Sequence, residues 1–280
     1  MAANDDSDSK CRFDYISYGF IADICEKTAL DFGSDDPLSF SKTVTVFLEK
    51  FHLTDAVLFR KAGKSGSNST SKSESDLSGV LEALFNHSNS VRCYRGVEIE
   101  VENEKTLFSM IQKERSQADF LTVRSADEKV IRAAADSPDV DVVIPVLSGA
   151  SKPAAGKINH IVAKIAADKK TSFGFDITPF LSVKGYRRSK LFADVSEMIP
   201  ILRKYKVPIL LFSGAESVYE LRGSYELEAF GRLLGLTREE ASQAVQKSGR
   251  LIQMRQKQMS GAQIMPGVEI ITDGQDESES

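Results

Sequence analysis

Histidine and cysteine are scarce in this chain, and the shortage removes whole classes of chemistry. Of 280 residues, three are His and three are Cys. Cys11, Cys25 and Cys93 lie far apart with no C-x-x-C pair, a pattern that builds neither a disulfide framework nor a thiolate zinc site. They read instead as small buried side chains. His52, His87 and His160 include no His-x-His pair, and the strand-like run FDYISYG carries no histidine. The clustered imidazole and carboxylate ligands of a multi-metal hydrolase are therefore missing, and no metal or cofactor is expected on this chain. Long apolar runs are missing too: none approaches the roughly 20 residues that span a bilayer. The opening MAANDDSDSK is acidic where a secretory signal would be basic and then apolar. A cytoplasmic protein without a membrane partner is expected. The chain has no G-x-x-x-x-G-K-[ST] and no G-x-G-x-x-G, and Ser213 in LFSGAES lacks the G-x-S-x-G elbow. Neither a phosphate-cradling glycine loop nor an activated serine is supported.

What is present fits one globular α/β domain. Hydrophobic residues make up 41% and charged residues 27%, which is ordinary for a soluble protein that buries a core. The net charge of −4 argues at first against a nucleic-acid partner. Much of the acid sits at the ends: Asp5, Asp6 and Asp8 within 1–9, and Asp273, Asp276, Glu277 and Glu279 within 273–280. Without those seven, 36 basic residues face 33 acidic ones, so any electrostatic case rests on local clusters. Residues 1–9 and 260–280 read as disordered acidic termini, 10–259 as the folded domain, and KAGKSGSNSTSKSESD, 61–76, as a flexible Ser-rich insertion between a strand and a helix.

Inside the domain, strand-like and helix-like runs alternate. CRFDYIS, AVLFR, CYRGVEIEV, ADFLTVRS, VDVVIPVL, TSFGFDITPFL and PILLF read as strands; LSFSKTVTVFLEKF, LSGVLEALFNH, EKTLFSMIQKER and ADEKVIRAAAD read as helices. Continuous apolar runs such as VDVVIPVL and PILLF suit strands covered on both faces, as parallel sheets demand. SGRLIQMRQ reads as a last strand, and Thr237 with Glu240 has capping-box spacing. Seven or eight such units without an internal repeat favour a TIM-like α/β barrel, whose functional residues gather where strands hand over to helices.

Those handovers supply the candidates. SVKGYRRSK places Lys184, Arg187, Arg188 and Lys190 within seven residues, with Tyr186 among them. They read either as a solvated helix start or, since cations oppose the helix dipole at an N-terminus and want another reason to be there, as a patch for RNA phosphates with Tyr186 as a stacking ring; RNA contact is the expectation. Arg124, Lys152, Lys157 and Arg222 lie at or after strand ends and are expected to converge on the same face. Asn159 and His160 stand at a helix start, where His160 reads as a solvent- or backbone-satisfied residue. Asp176 ends a strand and reads as a structural carboxylate that pairs with a base or binds a metal; Ser213 reads as a turn hydroxyl capping the next helix.

KINHIVAKIAADKK, RRSKLFADVSEMIPILRKYKVPILLFSGAES and YELRGSYELEAFGRLLGLTREEA, in that order and spacing, carry a resemblance. From about Val91 to Met254 the chain resembles the barrel-type protein subunit of archaeal and eukaryotic ribonuclease P, the archaeal form most of all. The resemblance implies a TIM-like barrel akin in fold to metal-dependent phosphoesterases. It implies an accessory protein of an RNA enzyme that removes the 5′ leader of precursor tRNA, in which the RNA performs the chemistry. Implied partners are the ribonuclease P RNA, precursor tRNA and a small ferredoxin-like protein subunit, with Mg²⁺ accompanying the RNA. It makes the Asn159–His160 pair a family feature with a positioning role, and implies no catalytic side chain here. The rival from another class is a stand-alone phosphoesterase or lyase using Asp176 and His160; a pure interaction scaffold is a third reading.

Overall fold

The computed structural model describes residues 13–17, 20–21, 37–63, 79, 81–86, 90–147, 156–259, 263–265 and 268–269. Seven parallel strands run β1 (Phe13–Ser17), β2 (Asp55–Gly63), β3 (Arg92–Glu100), β4 (Phe120–Ser125), β5 (Val142–Pro145), β6 (Ser172–Asp176) and β7 (Ile209–Phe212), paired in sequence order. Closure between β7 and β1 is a single parallel bridge, Ile16 to Ala215, where the Gly214 amide donates to the Tyr15 carbonyl at 3.0 Å. The result is a nearly closed TIM-like α/β barrel, as the alternation of runs predicts.

Helices α1 (Pro37–Lys50), α2 (Glu104–Arg115), α3 (Glu128–Asp136), α4 (His160–Lys169), α5 (Thr178–Ser182), α6 (Tyr186–Lys204), α7 (Ser224–Leu233) and α8 (Arg238–Met259) accompany it, with further helical residues at 81–86. Their starts are chemically marked. Asn103, Asp127 and Asn159 each accept N–H bonds from the first turn of α2, α3 and α4, satisfying donors the helix leaves unpaired. α3 buries Val130, Ile131, Ala134 and Ala135, and α4 answers with Val162, Ala163 and Ala166; the small alanines let the two helices pack closely.

Alternation along each strand sorts the core into two shells. Outward-facing Val97, Leu121, Val143, Phe173 and Leu211 pack under the helices. Inward-facing Tyr15, Val57, Phe59, Tyr94, Phe120, Val142, Ile144, Leu210 and Phe212 fill the barrel. Tyr15 stacks on Phe59 at 4.0 Å between centroids and leans on Phe120 and Phe212. Gly174 makes room for this plug, because a Cβ there would meet the Phe212 ring at 2.7 Å.

Four sequence expectations change. SGRLIQMRQ is not a strand: it continues α8, which crosses Gly249 at a tolerable cost of about 1 kcal/mol. Residues 61–63 do not belong to a flexible insertion, because β2 runs through them in full register with β3, Gly63 opposite Glu100. Within 260–280, Gln263–Met265 and Val268–Glu269 pair as short antiparallel strands rather than lying in a disordered tail. TSFGFDITPFL divides, β6 ending at Asp176 and ITPFL turning into α5. Residues 1–9, 64–76, Cys11, Cys25, His87 and Lys152 lie outside the described residues, as does the rest of 260–280; Cys93 is half-buried. Among the described residues no helix is long and apolar enough to cross a membrane.

Candidate functional site

The C-terminal ends of the strands, where barrel chemistry usually sits, hold a charged layer above the aromatic plug. Arg124 of β4 points inward and donates from Nε and one terminal nitrogen to Glu98 of β3, both at 3.0 Å, and from that terminal nitrogen to Asp176 of β6 at 3.0 Å. Glu98 is wholly buried and the Arg124 side chain is 17% exposed. Burial opposes the guanidinium charge, yet Asp176 and Glu98 together hold Arg124 well above its ordinary value. Lys61, near the end of β2, pairs with Glu216 beyond β7. Burial pulls its ammonium down, but the Glu216 bond and charge outweigh that, so its pKa is raised. Beneath, the Tyr15 hydroxyl and Thr122 Oγ1 share a hydrogen bond, and burial followed by the Glu98 charge pushes Tyr15 well above its usual range.

At the seam, Asp14 of β1 accepts the Ser213 amide at 2.7 Å and the Tyr15 amide at 2.8 Å on Oδ1, while Oδ2 meets the Ser213 hydroxyl. Burial pushes its carboxyl up to about 7 despite those hydrogen bonds. Asp14 is therefore about half protonated near pH 7, far more than an ordinary carboxylate. Gly214 turns the chain here at φ +62, where a Cβ would meet Asp176 at 2.8 Å.

Among the described residues of this mouth, Arg124 and Lys61 are met by three carboxylates, Glu98, Asp176 and Glu216, and no group of three or more His, Cys, Asp or Glu side chains converges to hold a metal. Sequence reasoning missed Asp14, Tyr15, Lys61 and Glu98, whereas Glu216 stands among the polar residues at the handover after PILLF. For Lys61 and Glu98 the signal was a polar residue at an inward register of an otherwise apolar strand; Asp14 lies on the outward register beside Tyr15 and meets Ser213 only at the seam.

The predicted residues divide accordingly. Asp176 and Arg124 meet in the mouth, so Arg124 is not on an exposed rim: its charge is already met by two carboxylates. Ser213 caps no helix; its hydroxyl serves Asp14 and receives the Ala215 amide at 3.3 Å. Asn159 caps α4 and its side-chain amide reaches Glu128. His160 is exposed, its ring 5.8 Å from that of Tyr205. Arg222 donates to the Tyr219 and Leu221 carbonyls. A Cβ on the adjacent Gly223 would lie 3.7 Å from the Phe51 carbonyl, just beyond α1.

Lys184, Arg187, Arg188 and Lys190 follow one another at a helix start, not in a loop leaving a strand. α5 intervenes, anchored by Thr178 donating to the Ser213 carbonyl from both its amide and its hydroxyl, and the cluster forms the turn from α5 into α6. Because α6 returns the chain from the end of β6 to the start of β7, this turn lies on the mouth side of the barrel. Arg188 Nε donates to the Val183 carbonyl at 2.8 Å, pinning the turn. Lys184, Arg187 and Lys190 are exposed. Gly185 starts α6 with no side-chain cap, and the first turn holds no acid, so positive charge adds to the positive helix end. Lys157, exposed after β5, stands two residues before the Asn159 cap.

Comparison with known proteins meets this geometry. The family model "RNase P subunit p30" matches residues 35–260. The ribonuclease P protein component 3 of Methanosarcina mazei is 31% identical over 210 residues, 69% of this chain and 84% of that protein. Its namesake in Methanosarcina barkeri is 30% identical over 222 residues, 78% and 89% of the respective lengths. In fold, the chain matches a protein in the cryo-EM structure of archaeal ribonuclease P with mature tRNA, with TM-score 0.65 and 21% identity over 96% of this chain and all of that one. A Xaa-Pro dipeptidase with methionine bound in its active site gives TM-score 0.52 at 9% identity, covering 91% and 80%, a likeness of fold alone.

Proposed function

Because the chain belongs to the RNase P subunit p30 family, and is thus a protein subunit of an endoribonuclease that matures tRNA, we propose that it acts there as a non-catalytic RNA-binding barrel. Its task is to steady the catalytic RNA and precursor tRNA by setting cations against closely packed phosphates, while the RNA removes the 5′ leader with its own Mg²⁺. The observation that carries this reading is the contrast in charge at one end of the barrel. The mouth, where a hydrolase would keep open positions, is filled by Glu98, Arg124 and Asp176 bonded to one another. The exposed cations stand outside it, at the start of α6.

The partners of this reading are the ribonuclease P RNA, precursor tRNA and a small ferredoxin-like subunit, in a cytoplasmic particle. Lys184, Arg187 and Lys190 supply the phosphate contacts, Arg188 holds their turn, and Lys157 extends the surface on the approach to α4. A barrel hydrolase using Asp176 and His160 finds little support, since Asp176 is bound to Arg124 and His160 lies against Tyr205.

Reconstitution tests the proposal. Leaving this chain out of an otherwise complete particle should lower leader removal most at low Mg²⁺, where protein cations must stand in for screening ions. The purified chain alone should cleave neither precursor tRNA nor simple phosphodiesters with added divalent metal. No effect of omission at any Mg²⁺ level, or metal-dependent turnover lost in His160→Ala, would overturn it.

A further inference from the structure

The side chain at the centre of the cationic turn is unlike its neighbours. Tyr186 is 82% exposed, the highest value among the exposed large hydrophobic side chains described. It is the first residue of α6 and follows Gly185, whose φ is +59 and beside which a Cβ would find nothing within 4 Å. With that exposure, and no side chain on the preceding residue, the ring stands open to solvent. Lys190 stands four residues on, on the same helix face, where Cβ atoms lie roughly 5–6 Å apart. Lys184 and Arg187 flank the ring along the chain, and the Arg188 bond to Val183 fixes the turn that presents all of them.

We propose that Tyr186 is a stacking platform for an unpaired RNA base, with Lys184, Arg187 and Lys190 taking the phosphates on either side, so that this surface selects single-stranded RNA. This rests on the reading of the turn as an RNA contact and goes beyond it by naming the kind of RNA. Cations alone would serve a duplex equally well, since an A-form helix offers phosphates everywhere. It keeps its bases stacked inside, however, and an aromatic ring finds a partner only where a base is splayed out. A protein partner fits less well. The centre of a protein interface is depleted in lysine, whereas Lys184 and Lys190 stand on either side of this ring along the chain, both exposed.

The test uses the full chain and two probes, labelled oligoadenylate and the same strand paired with oligouridylate. Tyr186→Ala should weaken binding of the single strand roughly five- to hundred-fold, the range of one lost base–ring stack. It should leave the duplex unchanged, and Tyr186→Phe should bind both like the parent. Circular dichroism of each variant separates lost binding from lost fold. Equal loss on strand and duplex, or no loss on the strand, overturns the proposal. The pair Lys184→Ala, Arg187→Ala, measured on both probes, distinguishes the ways to fail. If it weakens binding while Tyr186→Ala does not, the turn is an RNA site without stacking and only this inference falls. If neither variant changes binding, the RNA reading of the turn falls too.

Discussion

Arg124 and Arg187 are the same side chain placed in opposite surroundings near one end of the barrel. Arg124 is turned inward, its guanidinium shared between a fully buried Glu98 and Asp176. Arg187 is exposed on a helix start whose first turn has no acid. The first arrangement makes a buried charge tolerable only while every partner is present; the second leaves charge directed at solvent, and at whatever anion comes there. One arginine therefore acts in folding and the other in binding, and substitutions should separate the two roles cleanly.

The largest effect is expected from Arg124→Ala. It strands Glu98 in the barrel interior without a counter-charge, a change that typically costs about 3–5 kcal/mol. Urea unfolding should show it as a lower midpoint with the slope retained. Arg124→Lys should recover only part, because one ammonium cannot reproduce the paired Nε and terminal-nitrogen contacts to Glu98. If Arg124→Ala unfolds like the parent but loses RNA affinity, the comparison is wrong and Arg124 belongs with the binding surface.

That mistake is the one the sequence invites. Arg124 closes an apolar strand, FLTVRS, and a cation at a strand end resembles a rim residue. Inward alternation through Phe120 and Thr122 was legible. Its meeting with Asp176 was not, because the two sit on non-adjacent strands 52 residues apart and touch only across the closed barrel. Asp14 escaped notice for the same reason, since its partner Ser213 is 199 residues away at the seam. Local signals did better: the Thr237–Glu240 capping box forms in both directions, at 2.8 and 3.2 Å. They failed at SGRLIQMRQ, which reads as a strand by its apolar core but continues one helix across Gly249. The basic turn was visible because four cations are consecutive or nearly so, and contact with distant strands was not needed to find it.

A second, smaller effect separates the barrel seam from the surface by pH. Asp14 titrates near 4 in the unfolded chain and near 7 when folded, so between these values the folded state holds a proton that the unfolded state has released. Its stabilising contribution is complete below the unfolded value and is lost as pH rises through about 7. Stability should fall with a slope approaching 1.4 kcal/mol per pH unit at most. Asp14→Asn should flatten that slope, since an amide keeps an acceptor for the Ser213 and Tyr15 amides and gives the Ser213 hydroxyl a donor that needs no proton. Unfolding of parent and variant from pH 4 to 8 measures this. An unchanged slope in Asp14→Asn would assign the pH dependence elsewhere.

The smallest effect on folding, and the sharpest test of the contrast, is expected from Lys184→Ala with Arg187→Ala. Both side chains are exposed, and Arg188 keeps its bond to Val183 in the variant, so the change in unfolding free energy should stay within about 0.5 kcal/mol. Binding should respond differently. Each phosphate contact releases counterions on forming, and for a single strand each contributes roughly 0.7 to the slope of log affinity against log salt. Losing two should lower that slope by about 1.4 while the fold is untouched. Arg124→Ala should do the reverse, lowering stability and leaving the salt slope of the surviving folded protein as it was. Measured together across one salt series, the two variants form a cross. If the double variant instead destabilises the protein and keeps its slope, the start of α6 is part of the scaffold, and the exposed cations around Lys157 become the surface to examine.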